Sequence, residues 1–269
     1  MSGQKQIIKR RIASIDKIVK ITQAMEVVSL FRLKKVEKEF FKRKEYFEVI
    51  RGIVDDISWY LNYHPHKLFS LRTSNKPLLL CIGSDKGLCG GFNLFVINKV
   101  LEFKKEKKEA KLLVFGKKLV PLKRYFFDDI LEFKEHQEAD FIKIAEFVFG
   151  ELKKENFDSF FIIFNFFRLN ILGRAGVLKV FPLEERKGKD IDFILEGNVW
   201  EDLFFTYLKE TILFSFLESQ ASEEFMRIFT MKQAKENAKE LKNKVYLQFH
   251  KLRQATITKE LTDLTTMLR

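Results

Sequence analysis

Apolar and polar positions change their period twice along this chain. Phe47, Ile50, Val54, Ile57 and Leu61 step by three and four, and Met231, Ala234, Ala238, Leu241, Val245, Gln248, Leu252 and Ala255 keep the same step with one polar interruption. That spacing predicts a heptad seam on a helix at each end of the chain. Between them the pattern becomes short apolar runs alternating with amphipathic stretches. "PLLLCI", "AKLLVF", "FDSFFIIFNFF", "RAGVLKVFPL" and "IDFILE" predict strands, while "FNLFVINKVLEFKKEKKE" and "EADFIKIAEFVFGELKKE" predict helices. Strands alternating with helices favour a partly parallel α/β sheet.

Glycine and proline sharpen the division. Neither occurs between Gly3 and Gly52, nor from Asn198 to Arg269, so both ends can form long uninterrupted helices. At about 1.5 Å per residue, roughly 50 and 70 residues make rods of about 75 and 105 Å, which need a partner along their length. One chain supplies both rods, so an intramolecular antiparallel pair is the economical arrangement, with Ala234 and Ala238 allowing close approach of the backbones. The expected organisation is a coiled-coil helix over 1–61, an inserted α/β domain over 76–196 and a second coiled-coil helix over 198–269.

Charge adds an asymmetry. Of the net charge of +12, the stretch from Met1 to Arg51 carries 14 Lys plus Arg against 6 Asp plus Glu, whereas Asn198 to Arg269 carries 11 against 10. A basic helical segment serves nucleic acid, an anionic membrane, an acidic protein or merely a solvated face, and charge alone does not choose. No apolar run approaches the roughly 20 residues that span a bilayer, because "LFFTYLKETILFSFLES" is broken by Lys209 and Glu210. "MSGQKQIIKRRIASI" has no apolar core of a secretory signal, so a soluble chain is expected.

The chemical candidate is "GSDKGLCGGFN", residues 83–93, four glycines between a predicted strand and a predicted helix. Its context suits a phosphate cradle, but Gly83, Gly87, Gly90 and Gly91 match neither GxxxxGK[ST] nor GxGxxG. Glycines needed for a tight turn and close packing are the better reading. His64, His66, His136 and His250 form no catalytic or metal motif, and Cys81 and Cys89 lack a partner pattern. Neither a cofactor nor a metal nor a catalytic residue is expected. Cys89 reads as a buried small thiol rather than a nucleophile.

Four stretches, "KITQAMEVVS", "SDKGLCGGFN", "ESQASEEFMRIFTMKQAKENAKEL" and "RQATITKELTDL", together resemble the signature segments of the gamma subunit of the F-type ATP synthase, in the family's order and spacing. The resemblance covers essentially the whole chain. It implies a central rotor shaft: a long antiparallel coiled coil of the N- and C-terminal helices with an inserted Rossmann-like α/β domain, and no nucleotide of its own. Implied partners are the alpha and beta subunits of the hexamer, an epsilon-type subunit and the membrane c-ring, with neither nucleic acid nor a membrane span. The implied location is the cytoplasmic face of a bacterial inner membrane.

By the same resemblance, Met25 and Arg227 correspond to an energy-coupling pair near an acidic beta-subunit loop. Arg253, Gln254 and Thr258 correspond to the upper contact with a beta-subunit loop. Glu196, in "ILEG", corresponds to a c-ring contact, although Gly197 stands where the family often has proline. Phe31 and Phe225 stand where the family has small residues, so shaft packing is expected to differ there. Competing readings are a specialised rotary ATPase not used for synthesis, a nucleotide-binding α/β enzyme with a coiled-coil arm, and a basic nucleic-acid binder. The last is disfavoured because pairing already occupies the heptad faces.

Overall fold

The computed structural model describes residues 2–63, 76–124, 130–133, 138–168, 171–183 and 199–267. Two long helices frame it: α1 (Ser2–Tyr63), which runs straight through Gly52, and α4 (Val199–Met267). Between them lie β1 (Pro77–Ile82), α2 (Phe92–Glu106), β2 (Lys111–Phe115), a 3-10 helix (Lys117–Arg124), β3 (Ile130–Phe133), α3 (Glu138–Lys153), β4 (Ser159–Arg168) and β5 (Ile171–Phe181). The 3-10 helix and β3 are additions to the expected elements. The predicted strand "IDFILE", together with Glu196, lies outside the described residues, as do the side chains of Ile57 and Leu61.

The chain forms two compact units, Met1–Phe31 with Arg227–Arg269, and Arg32–Met226. Each long helix contributes to both.

The larger unit is built on a five-stranded sheet of order β3-β2-β1-β4-β5, parallel except for β5. β1 is buried along its whole length, as a central parallel strand covered on both faces must be. The period of two then sorts its residues. Leu78, Leu80 and Ile82 join Phe160, Ile162 and Phe164 of β4 in a core completed by Ile50 and Val54 of α1, Ile144 and Val148 of α3, and Phe204, Leu208 and Ile212 of α4. Leu79 and Cys81 point the other way, into a second core with Val96 and Val100 of α2 and Leu119 and Leu122 of the 3-10 helix.

Phenylalanine fills much of the first core. Phe214 of α4 stacks between Phe40 and Phe47 of α1, with centroids 4.8 and 4.5 Å away, and Phe216 reaches Phe115 and Phe141 at 5.2 and 4.5 Å. Two buried carboxylates in this unit are matched by cations, Glu210 by Arg43 at 3.8 Å and Glu224 by Arg32 at 3.7 Å. An unpaired charge at such depth would cost several kcal/mol.

The smaller unit pairs α1 with α4 antiparallel. Glu26 meets Lys235 at 2.5 Å and Asp16 meets Lys242 at 2.7 Å, while the Lys9 ammonium lies 5.9 Å from the Phe249 ring centroid. Residue numbers fall on one helix as they rise on the other. Ile8, Ile12, Ile15 and Val19 pack with Ala238 and Val245.

This seam corrects the expected one. Met231, Ala238 and Val245 are buried and Leu252 half-buried, but Leu241, Gln248 and Ala255 are exposed and Ala234 is only half-buried. The alternate positions are instead Lys235, Lys242, Phe249 and Thr256, one residue later. Lysine stems cover the seam while their ammonium groups reach Glu26 and Asp16, so a polar letter hides an apolar contact. Thr256 at the same register sends its hydroxyl to the Leu252 carbonyl at 2.7 Å. The hydrogen bond to Asp16 pushes the Lys242 pKa above the ordinary lysine value. Its contribution is therefore full below that value and is lost only as pH climbs through the raised one.

Candidate functional site

The glycine loop follows β1 at the carboxyl ends of the parallel strands, beside the point where the strand order reverses from β1 to β4. Open α/β sheets place ligands in that crevice. Here the neighbouring loop fills it. A Cβ at Gly83 would come within 2.4 Å of Leu119 Cγ, and a Cβ at Gly116 (φ +107°) within 2.6 Å of the Gly83 carbonyl carbon and oxygen. The Gly83 N–H donates to the Phe115 carbonyl at 2.8 Å, and the Lys118 N–H to the Ser84 carbonyl at 3.0 Å.

Polar side chains close the same loop on itself. Asn93 accepts from the Ser84 N–H at 3.0 Å and donates from Nδ2 to Ser84 Oγ at 2.8 Å, while Ser84 Oγ donates to the Lys86 carbonyl. Asp85 accepts the Lys117 N–H at 2.9 Å. Asn165 on β4 donates to the Phe92 carbonyl at 2.9 Å, and Phe92 is buried with Cys89 and Met226. Gly83 and Gly116 thus serve loop-on-loop contact, and the Gly83 and Ser84 amides are engaged within the protein.

Both cysteines lie inside. Cys81 is wholly buried, and desolvation pushes its thiol far above the usual cysteine range. Cys89 is 2% exposed, with Sγ 3.7 Å from Ser84 Oγ and Asn93 Nδ2. Thiolate chemistry requires access as well as ionisation. Neither thiol should be alkylated in the native protein at mildly alkaline pH, and both should be in denaturant. Native labelling of Cys89 at the denatured rate would show that the loop opens.

The residues singled out by resemblance fall in several settings. Met25 is half-buried on α1, beside the exposed apolar side chains Ile18, Ile21 and Val28. Arg227 on α4 is only 3% exposed, a burial that the motif did not reveal. The Glu26–Lys235 pair sets Met25 near the turn of Lys235, eight residues and about 12 Å of helix beyond Arg227. Arg253, Gln254 and Thr258 are exposed on the last turns of α4, where Thr258 Oγ1 donates to the Gln254 carbonyl at 3.0 Å. Phe31 is 69% exposed, so it leaves the seam unchanged, with Ser29 and Leu33 as the buried positions on either side. Phe225 meets Phe167 edge-on at 6.0 Å.

No helix among the described residues is long and apolar enough to cross a membrane, and no cluster of His, Cys, Asp or Glu among them could hold a metal ion.

Comparison with known proteins gives a consistent picture. The family model described as ATP synthase matches residues 4–267. The ATP synthase gamma chain of Clostridium novyi is 32% identical, and that of Buchnera aphidicola from Diuraphis noxia 30%, each alignment covering 96% of this chain and 94% of the relative. Among solved structures, a chain of the Euglena gracilis mitochondrial ATP synthase OSCP/F1/c-ring assembly superposes with a TM-score of 0.69 at 16% identity, covering 100% of this chain and 94% of its own. A chain of the Tetrahymena thermophila mitochondrial central stalk and c-ring gives 0.63 at 21%, covering 80% and 99%. The shared fold, the paired helices with their inserted sheet, and the end-to-end sequence match place this chain in the ATP synthase gamma subunit family, the central stalk of the F-type ATP synthase.

Proposed function

We propose that this chain is a non-catalytic rotor shaft that turns within a hexamer of alpha and beta subunits and is carried at its foot, over 76–196, by a membrane c-ring at the cytoplasmic face of a bacterial membrane. An epsilon-type subunit completes the foot. The observation that carries this reading is the match to gamma chains along nearly the whole length. The paired helices give it a mechanism. Their seam is held by side chains at every third or fourth position, which makes the pair stiff enough to transmit torque.

One chain also presents a different surface in every direction. Around the smaller unit the apolar side chains Ile18, Ile21 and Val28, with Met25 between them, form one stripe of α1, while Lys17, Lys20, Lys232 and Lys239 present charge elsewhere. Three chemically identical beta subunits therefore meet three different faces. A contact stronger in one nucleotide state than in another shifts that subunit toward the favoured state, and rotation moves the preference to the next. Met25 and Arg227 are the proposed coupling residues. Arg253, Gln254 and Thr258 form the proposed upper contact, and Glu196 is the proposed c-ring contact.

The test is truncation after Leu252 in the assembled complex. It removes Arg253, Gln254 and Thr258 but leaves the packed positions from Met231 to Leu252. Coupling of ATP hydrolysis to ion transport should fall well before co-purification with alpha and beta subunits does. Equal loss of both would count against a dedicated contact there.

A further inference from the structure

The smaller unit carries nearly all of the chain's excess charge. Met1–Phe31 with Arg227–Arg269 holds 16 Lys plus Arg against 6 Asp plus Glu, whereas the longer stretch Arg32–Met226 holds 33 against 31. Pairing cannot cancel this excess. Even with every acid of the unit matched, ten cations remain, spread along roughly 60 Å of α4 and the turns of α1 beside it. That is one net charge per about 6 Å, close to the roughly 7 Å at which two unit charges in water interact by RT. The helix register also sets like charges level with one another. Reading on from the contacts of Glu26 with Lys235, Asp16 with Lys242 and Lys9 with Phe249, Lys20 falls level with Lys239 and Lys5 with Arg253.

Little apolar burial opposes the repulsion. Among the described residues the buried apolar side chains of this unit are Ile15, Met231, Ala238 and Val245, with Ile8, Ile12 and Val19 half-buried against them. Fifteen large apolar side chains of the same unit are exposed, Ile7, Ile21, Leu247, Leu261 and Leu264 among them, against nine in the longer unit. The charge and the uncovered apolar surface are independent observations with one implication. Two long helices joined through so few side chains gain little from each other, and helices without tertiary packing are marginal in water.

From these two features we infer that the smaller unit is a conditionally ordered element. In the free chain its helix pair opens at low ionic strength while the sheet unit stays folded. Salt closes the pair by screening the self-repulsion. In the assembled machine an enclosing partner closes it instead, by covering the apolar side chains and supplying carboxylates, so that the unit orders as it is bound. The second condition rests on reading the chain as a shaft within a hexamer; the first does not. Because the sheet unit holds only a small net charge, the chain keeps one part ready-folded and leaves the other to be completed on insertion.

Hydrogen exchange of the full chain tests this at 0.01 and 0.5 M sodium chloride, between which the Debye length falls from about 30 Å to about 4 Å. Amides of residues 3–31 and 230–267 should gain about tenfold in protection at the higher salt, and those of β1, β2 and β4 should stay within about twofold. Removing surface lysines should then stabilise. Lys17→Gln/Lys20→Gln/Lys232→Gln/Lys239→Gln, all exposed positions of the smaller unit, should show most of that gain already at 0.01 M. The matched set Lys76→Gln/Lys105→Gln/Lys108→Gln/Lys118→Gln, exposed positions of the sheet unit, should leave it unchanged. Salt-independent protection of the free chain, an equal gain in the strands, or equal effects of the two sets overturns the inference. In complex with alpha and beta subunits the same amides should be protected at both salt concentrations, and a salt dependence that persists there overturns the second condition. Failure of the chain to co-purify with those subunits would sink the shaft reading and leave the free-chain result standing.

Discussion

Replacing Gly116 with alanine should leave the sheet unable to close, with a loss of about 4 kcal/mol or more. Two effects add. The backbone sits at φ +107°, outside the conformations an L side chain readily adopts, and the new Cβ would lie 2.6 Å from backbone atoms of Gly83. Backbone cannot swing aside as a side-chain tip can, and Gly83 is tied to Phe115 by a hydrogen bond of 2.8 Å. Gly83→Ala is the informative contrast, because its clash is with the side chain of Leu119. Leu119→Ala should recover part of the loss at Gly83 and none of it at Gly116. Urea unfolding of the three single and two double variants reads this directly, and rescue at Gly116 would show that the two loops are not locked as described.

A charge in the seam should be nearly as damaging, but in a different place. Ile15 is 4% exposed and packs with Ala238 and Val245. Ile15→Asp removes a buried aliphatic side chain and puts a carboxylate in its place, at a cost of about 3 to 5 kcal/mol. The nearby Asp16 adds like charge. The sheet lies in the other compact unit, so its amides should keep their hydrogen-exchange protection while those of residues 2–31 and 230–267 lose theirs. Uniform loss of protection across the chain would mean that the two units unfold as one.

Much of the architecture was legible because the signals were local. Absence of glycine and proline announced both long helices, and apolar runs such as "PLLLCI" announced the central strands. β3 escaped because "ILEF" is four residues long and carries a glutamate. The seam of α4 was misread by one position at alternate steps because Lys235 and Lys242 look solvent-facing until their carboxylate partners, more than 200 residues away in the chain, are in place. The glycine loop matches neither nucleotide-binding pattern in its spacing. Its actual role depends on Leu119 and Gly116, which only the folded sheet brings to Gly83. At the proposed coupling residues, resemblance supplied positions but not environments. Nothing in "FMRIF" shows that Arg227 is buried.

The spacing of buried positions on α1 also limits how the chain can change in length. Buried Ile15 and Thr22 are followed at the same alternating step by Ser29, Leu33, Val36, Phe40, Phe47, Ile50 and Val54, with half-buried Ile8, Ile12, Val19, Glu26 and Arg43 filling the register. One residue gained or lost within this run would rotate everything beyond it by about 100°, exchanging the packed side for the wet side. Seven residues at a time restore the phase. Single-residue insertions should therefore survive among descendants of this gene in the connections between strands, while the two long helices grow or shrink by whole heptads, and together, or not at all.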